Sequence, residues 1–205
     1  MIYEIANFLM QLSDVFSFFR LVNYITFRAI MAALTSVLFI FLFSRSFILY
    51  MHRLSLLDQV RETGIRTAFD KSGTPTMGGL LIVGAVFSSM LIWGNWRNPF
   101  LLCSVAGMLW FGLLGFLDDY SKVKRRSGDK GMSERSKLLL QGLFSLGFAI
   151  VCVGPLAPLE SAMATKLYVP FYKYPLFDLG PVLYGGFIFL FVIFVSNAVN
   201  ITDGL

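Results

Sequence analysis

Charge is what this sequence has least of. Asp, Glu, Lys and Arg make up 14% of the 205 residues, against about a quarter in an ordinary soluble domain. The mean hydropathy is +0.73, and a soluble globular protein is excluded on that balance. Cysteine is scarce as well. Cys103 and Cys152 are the only two and both fall inside apolar runs, which argues against a disulfide framework or a cysteine-rich metal site; they read as buried free thiols. The single histidine, His52, has no partner visible in the sequence and reads as an interfacial side chain. The N-terminus Met-Ile-Tyr-Glu-Ile has no basic segment, and Glu4 and Asp14 follow, so a cleavable signal peptide is not expected. Alternating segments of the kind a transmembrane barrel needs do not dominate the chain. The formal charge is +5, but the basic residues sit between apolar runs rather than in a stripe, so no nucleic-acid partner is expected.

Long apolar runs are what the chain has in their place. At ~1.5 Å per residue, runs of roughly 18–20 residues cross a hydrocarbon core of about 30 Å. Five spans are expected, at about Thr26–Leu49, Met77–Trp96, Pro99–Leu117, Leu138–Val153 and Val182–Val199. Before them, Ile2, Ile5, Phe8, Leu9, Leu12, Val15, Phe16 and Phe19 recur at helical spacing among Glu4, Asn7, Gln11 and Asp14, the pattern of an amphipathic helix lying at the interface. The fold class is therefore all-α: a polytopic helical membrane protein with an N-terminal interfacial helix, read as a single membrane domain over 1–205. Arg45, near the end of the first span, can reach the headgroups along its own stem.

The basic residues set the orientation. The 51–76 connection holds Arg53, Arg61, Arg66 and Lys71, and the 118–137 connection holds Lys122, Lys124, Arg125, Arg126, Lys130, Arg135 and Lys137. The alternate connections hold Arg97 in one case, and Lys166 with Lys173 in the other. The positive-inside rule makes the first pair cytoplasmic and puts the N-terminus and the 154–181 loop on the periplasmic side. Trp93 and Trp96 then close the second span at the outer interface. The stretch Leu167-Tyr-Val-Pro-Phe-Tyr-Lys-Tyr-Pro175 mixes β-formers with two prolines and suits a short hairpin.

Three polar clusters break the apolar pattern, all at cytoplasmic span ends. Lys71-Ser-Gly-Thr-Pro-Thr-Met-Gly-Gly79 offers Thr74 as N-cap and Pro75 as first helical residue of span two, a helix start that would also suit a phosphate. Asp118-Asp119-Tyr-Ser-Lys122 puts two carboxylates at the negative end of a helix dipole, so a cation is expected there. Lys122 and Mg²⁺ are the candidates, and a solvated acidic end paired with the basic loop is the plain alternative. In Asn197-Ala-Val-Asn-Ile-Thr-Asp-Gly-Leu205, Asn197, Asn200 and Asp203 share one helical arc if the helix continues. Gly204 as a C-terminal cap explains part of that pattern.

At these residues the sequence resembles the phospho-N-acetylmuramoyl-pentapeptide-transferase family, bacterial membrane enzymes that make the first lipid-linked peptidoglycan precursor. The runs 71–79 and 197–205 resemble two family signatures, Phe116-Leu-Asp-Asp-Tyr120 resembles the acidic motif between them, and the similarity extends from about Phe27 to the last residue. The resemblance implies a Mg²⁺-dependent transfer of phospho-N-acetylmuramoyl-pentapeptide from its UDP derivative to undecaprenyl phosphate, releasing UMP. It implies Asp118 and Asp119 as the catalytic pair, Asn200 and Asp203 near the metal, and Lys71, Thr76, Lys122, Asn197 and Gly204 near the nucleotide or its phosphates. The implied setting is the bacterial inner membrane, with the site cytoplasmic; the partners are UDP-MurNAc-pentapeptide, undecaprenyl phosphate and the lipid bilayer, and a homodimer is compatible.

The family pattern continues past Asp-Gly-Leu, whereas this chain stops at Leu205. It resembles the N-terminal half of a ten-span enzyme and is expected to be inactive alone. The nearest alternative is a polyprenyl-phosphate N-acetylhexosamine-1-phosphate transferase, which shares the acidic motif; the run Thr74-Pro-Thr-Met-Gly-Gly79 favours the muramoyl-pentapeptide branch. A cation transporter would hold its site near the midplane rather than at span ends, and a non-catalytic assembly subunit would not need the acidic pair.

Overall fold

A computed structural model describes residues 1–12, 14–53, 77–124, 131–159 and 163–202. Its helices are α1 (Ile2–Leu12), α2 (Ile25–Arg53), α3 (Gly78–Trp93), α4 (Pro99–Lys124), α5 (Glu134–Val153) and α6 (Gly180–Thr202), with a 3₁₀ segment over Asp14–Asn23. The chain forms two compact units, Met1–Met132 and Ser133–Leu205. Helices α2, α4, α5 and α6 are each long and apolar enough to cross a membrane. The protein is an all-α polytopic membrane protein, as its composition requires.

The described boundaries shift from the hydropathy reading for local reasons. The amphipathic helix expected over Ile2–Phe19 ends at Leu12 and gives way to 3₁₀ winding, because Val15, Phe16, Phe18 and Phe19 are poor α-formers. Helix α3 has 16 residues, about 24 Å of rise, and is shorter than the expected Met77–Trp96. It begins at Gly78 after Met77, whose φ of 69° is left-handed; Thr74 and Pro75, the expected N-cap and first helical residue, lie outside the described residues. It ends where Gly94 turns extended and its N–H reaches the Met90 carbonyl. A β-carbon on Gly94 would collide with that carbonyl oxygen.

Helix α4 begins at Pro99, as expected, with the Asn98 side chain accepting the Phe100 N–H at 2.9 Å. That is an Asn cap followed by proline in the first turn. It runs seven residues beyond Leu117, which places Asp118 and Asp119 inside the helix rather than after it. Helix α5 begins at Glu134, ahead of its apolar run, because the Ser133 hydroxyl accepts the Ser136 N–H at 3.2 Å and Glu134 complements the helix dipole.

Along α3 and α5 the buried positions are small or polar, while many large apolar side chains face outward. Ala85 and Ser89 are buried in α3, and Gln141, Ser145 and Ala149 form a buried stripe along α5. By contrast Phe41 is 80% exposed and Phe194 68%. Membrane helices associate in this way, since lipid gives large apolar groups no reason to turn inward. Within the first unit, α2 and α3 are joined by the Trp93 indole N–H donating to Thr35 Oγ1 at 2.9 Å, with the Phe27 and Trp93 rings packed nearly perpendicular. Thr35→Val, which keeps the shape and removes the acceptor, is expected to destabilise the unit by about 0.5–1.5 kcal/mol, read as an earlier midpoint in detergent unfolding. An unchanged midpoint would make that hydrogen bond incidental.

In the second unit, Lys166–Leu167 (β1) and Phe177–Asp178 (β2) pair antiparallel, Lys166 opposite Asp178 and Leu167 opposite Phe177. The hairpin expected around 167–175 is present. Asp178 fastens it to α6: its Oδ1 accepts from Thr165 Oγ1 at 2.7 Å and from the Gly180 N–H at 3.1 Å. These two bonds, the hydroxyl first, hold the carboxyl below its ordinary value of 3.8. A depressed carboxylate stabilises the fold at and above its unfolded value and loses that contribution as pH falls through its folded one. Acidification below about pH 4 is therefore expected to release the hairpin, seen as faster amide exchange at Gly180, and Asp178→Asn should flatten that pH dependence.

Candidate functional site

The acidic pair sits near the C-terminal end of α4. Continuing the helix past Leu117 puts Lys122 one turn beyond both carboxylates, where i,i+3 and i,i+4 neighbours meet. Lys122 Nζ lies 2.9 Å from Asp118 Oδ2 and 3.3 Å from Asp119 Oδ1. The lysine expected as a counter-charge is thus in place, bridging the pair. The two carboxylates are not equivalent, however. The Asp118 side chain is 14% exposed and that of Asp119 39%, and the Oδ1 of Asp118 also accepts the Met132 N–H at 2.9 Å. Asp118 thereby ties the far end of the 118–137 connection back onto the helix, while Asp119 is the one open to solvent.

Two carboxylates and one ammonium leave a net negative charge near the C-terminal end of α4. A hard divalent cation with water in its shell suits such oxygen donors. Among the described residues no group of three or more His, Cys, Asp or Glu that could hold a metal ion comes together. Phe116 stacks on Tyr120, ring centroids 5.9 Å apart, flanking the pair on the same helix.

In the second unit, Asn197 stands on the last turns of α6. Its Nδ2 donates to Gln141 Oε1 on α5 at 2.9 Å and to the Ile193 carbonyl at 2.9 Å. The amide nitrogen is therefore engaged in helix packing, a role the sequence did not suggest. The helix continues through Asn200 to Thr202. The Asn200 side chain and residues Lys71, Thr76, Asp203 and Gly204 lie outside the described residues. His52 is exposed in the last turn of α2, and Cys103 and Cys152 are half-buried rather than buried and form no disulfide.

Two contacts, one in each unit, follow from no local sequence pattern. Gln141, 3% exposed, had one signal, a lone amide inside the apolar run Leu138-Leu-Leu-Gln-Gly-Leu-Phe144. The Met132 N–H had none, since every residue but proline carries such a donor.

Residues 101–205 match glycosyl transferase family 4, and residues 71–83 match phospho-N-acetylmuramoyl-pentapeptide-transferase signature 1. The chain is 39% identical over 206 aligned residues to a phospho-N-acetylmuramoyl-pentapeptide-transferase of Thermodesulfovibrio yellowstonii, covering 100% of this chain and 55% of the relative. It is 40% identical over 194 residues to a protein of the same name from Endomicrobium trichonymphae, covering 95% and 53%. The chain thus spans about half the length of the curated relatives it matches. The family match takes in the acidic pair, Lys122, the Gln141–Asn197 contact and the end of α6, just over half of the residues, and on that ground the protein belongs to glycosyl transferase family 4.

Proposed function

We propose that this protein takes part in transferring phospho-N-acetylmuramoyl-pentapeptide from its UDP derivative to undecaprenyl phosphate, giving a lipid-linked peptidoglycan precursor and UMP. The observation that carries the reading is the Asp118–Lys122–Asp119 bridge in a chain 39% identical, along its whole length, to a protein named for that transfer. Its setting is the inner membrane of a bacterium, with the N-terminus periplasmic and the acidic pair cytoplasmic, on the asymmetry of Lys and Arg between connections.

The chemistry follows from what these side chains supply. Phosphoryl transfer asks for positioning and charge neutralisation more than for covalent participation by the protein. The acceptor is a phosphomonoester with a second pKa near 6, so it is mostly ionised at neutral pH and needs no strong base. Asp118 and Asp119 would hold Mg²⁺, with Asn200 and Asp203 as further oxygen donors; when bound, that ion offsets charge on the diphosphate being broken. Lys122, which bridges the two carboxylates, is the proposed cation for a substrate phosphate. Lys71, Thr76, Asn197 and Gly204 are the proposed contacts to the nucleotide and its phosphates, and a lipid acceptor and a soluble donor meet naturally at the end of a span.

The test is UMP release by the native gene product in membranes, with Mg²⁺ and undecaprenyl phosphate, comparing UDP-MurNAc-pentapeptide with UDP-N-acetylglucosamine. Preference for the first supports the proposal. Preference for the second would move the protein to the hexosamine-phosphate branch, and release from neither would reject the transferase reading.

A further inference from the structure

We infer that Gly131 is a positioning residue for the acidic pair, a position where the absence of a side chain lets the backbone close onto Asp118. A β-carbon built on Gly131 would collide with Asp118 Oδ1 and stand 3.1 Å from Asp118 Cγ and 3.0 Å from Lys122 Cε. It would occupy the approach that the next residue uses, since the Met132 N–H donates to that same Oδ1 at 2.9 Å. The backbone of Gly131 is not in the left-handed region, so alanine suits its φ. What alanine lacks is space, and the obstruction falls on the two side chains that form the bridge.

The consequence is geometric. With Oδ1 of Asp118 fixed by a backbone donor, Oδ2 is aimed at Lys122, and Lys122 in turn meets Asp119. Pushing the carboxylate aside by a few tenths of an ångström disturbs all three groups at once. This inference rests on the proposed reading of Asp118 and Asp119 as reaction-site carboxylates.

The experiment uses the native protein in membranes and compares Gly131→Ala with Gly115→Ala. The latter makes the same change one turn before Asp118, where a β-carbon meets nothing within 4 Å. Gly131→Ala is expected to raise the Mg²⁺ concentration needed for half-maximal UMP release several-fold, to lower turnover by roughly 10- to 100-fold, and to speed exchange of the Met132 amide. Gly115→Ala should match the unaltered protein in all three. Partial unfolding would lower turnover without moving the Mg²⁺ midpoint, so an unmoved midpoint overturns the inference. If Gly131→Ala does not accumulate, exchange decides: Met132 should be protected in the unaltered protein and released in Asp118→Ala, and an unprotected Met132 overturns the inference. Unchanged turnover in both Asp118→Asn and Asp119→Asn would instead reject the reading on which it rests, while leaving the exchange result to report on the contact itself.

Discussion

Asp119→Asn is expected to lower Mg²⁺-dependent UMP release by about 10²–10³-fold while leaving the fold intact. The substitution keeps a side-chain oxygen within reach of Lys122, 3.3 Å away in the parent protein, and the site is partly exposed, so little packing is lost. What disappears is one negative charge from the pair proposed to hold the cation, and removing one preorganised electrostatic group at a reacting centre costs about 3–4 kcal/mol of barrier. Asp118→Asn should lose turnover on the same scale and, unlike Asp119→Asn, should also alter exchange at Met132, because its Oδ1 is the acceptor there. Steady-state assays with thermal unfolding as a control separate the two effects. Unchanged turnover in both variants would remove the carboxylates from the mechanism.

Lys122→Met should change two quantities in opposite directions. Methionine keeps much of the stem volume and removes the ammonium that lies 2.9 Å from Asp118 and 3.3 Å from Asp119. Two like charges on adjacent residues then have no local counter-charge, and their demand for a divalent cation rises. The Mg²⁺ midpoint is expected to fall by about tenfold, a shift of roughly 1.4 kcal/mol. Yet kcat/KM for the nucleotide donor should drop by 10-fold or more, because a charge-assisted contact to phosphate is worth about 1.5–3 kcal/mol. A midpoint that stays in place while kcat/KM falls would place Lys122 in fold maintenance alone.

Hydropathy marked where the bilayer-facing surface begins, which is not where a helix begins. Helix α5 starts at Glu134 because Ser133 caps it, four residues ahead of the apolar run that suggested Leu138. Helix α4 outlasts its apolar run because Asp118, Asp119 and Lys122 pair along its surface, so an apparent helix end is a polar turn inside the helix. The opposite error arose at α3, where Trp96 looked like part of the span although Gly94 had already ended the helix. At the site, the Asp118–Lys122 and Asp119–Lys122 pairs were legible because they are local and follow from helical spacing. The Met132–Asp118 and Asn197–Gln141 contacts span 14 and 56 residues. Their donors and acceptors are common groups whose meeting depends on how the chain turns between them, and no local pattern encodes that.

The distribution of side-chain size between seam and surface reverses the ordinary rule for which mutations matter. In a water-soluble core, truncating a large apolar residue is the damaging change. Here, among the described residues, the two positions with no exposed surface are Ala85 in α3 and Ser145 in α5, and they have almost nothing to truncate. Enlargement is the damaging direction instead: Ser145→Leu would wedge a full side chain between α5 and its neighbour, whereas Phe41→Leu exchanges one lipid-compatible surface for another. A map of tolerated substitutions should therefore run by volume along the seam and by hydropathy alone along the outer faces, with growth at small residues tolerated least.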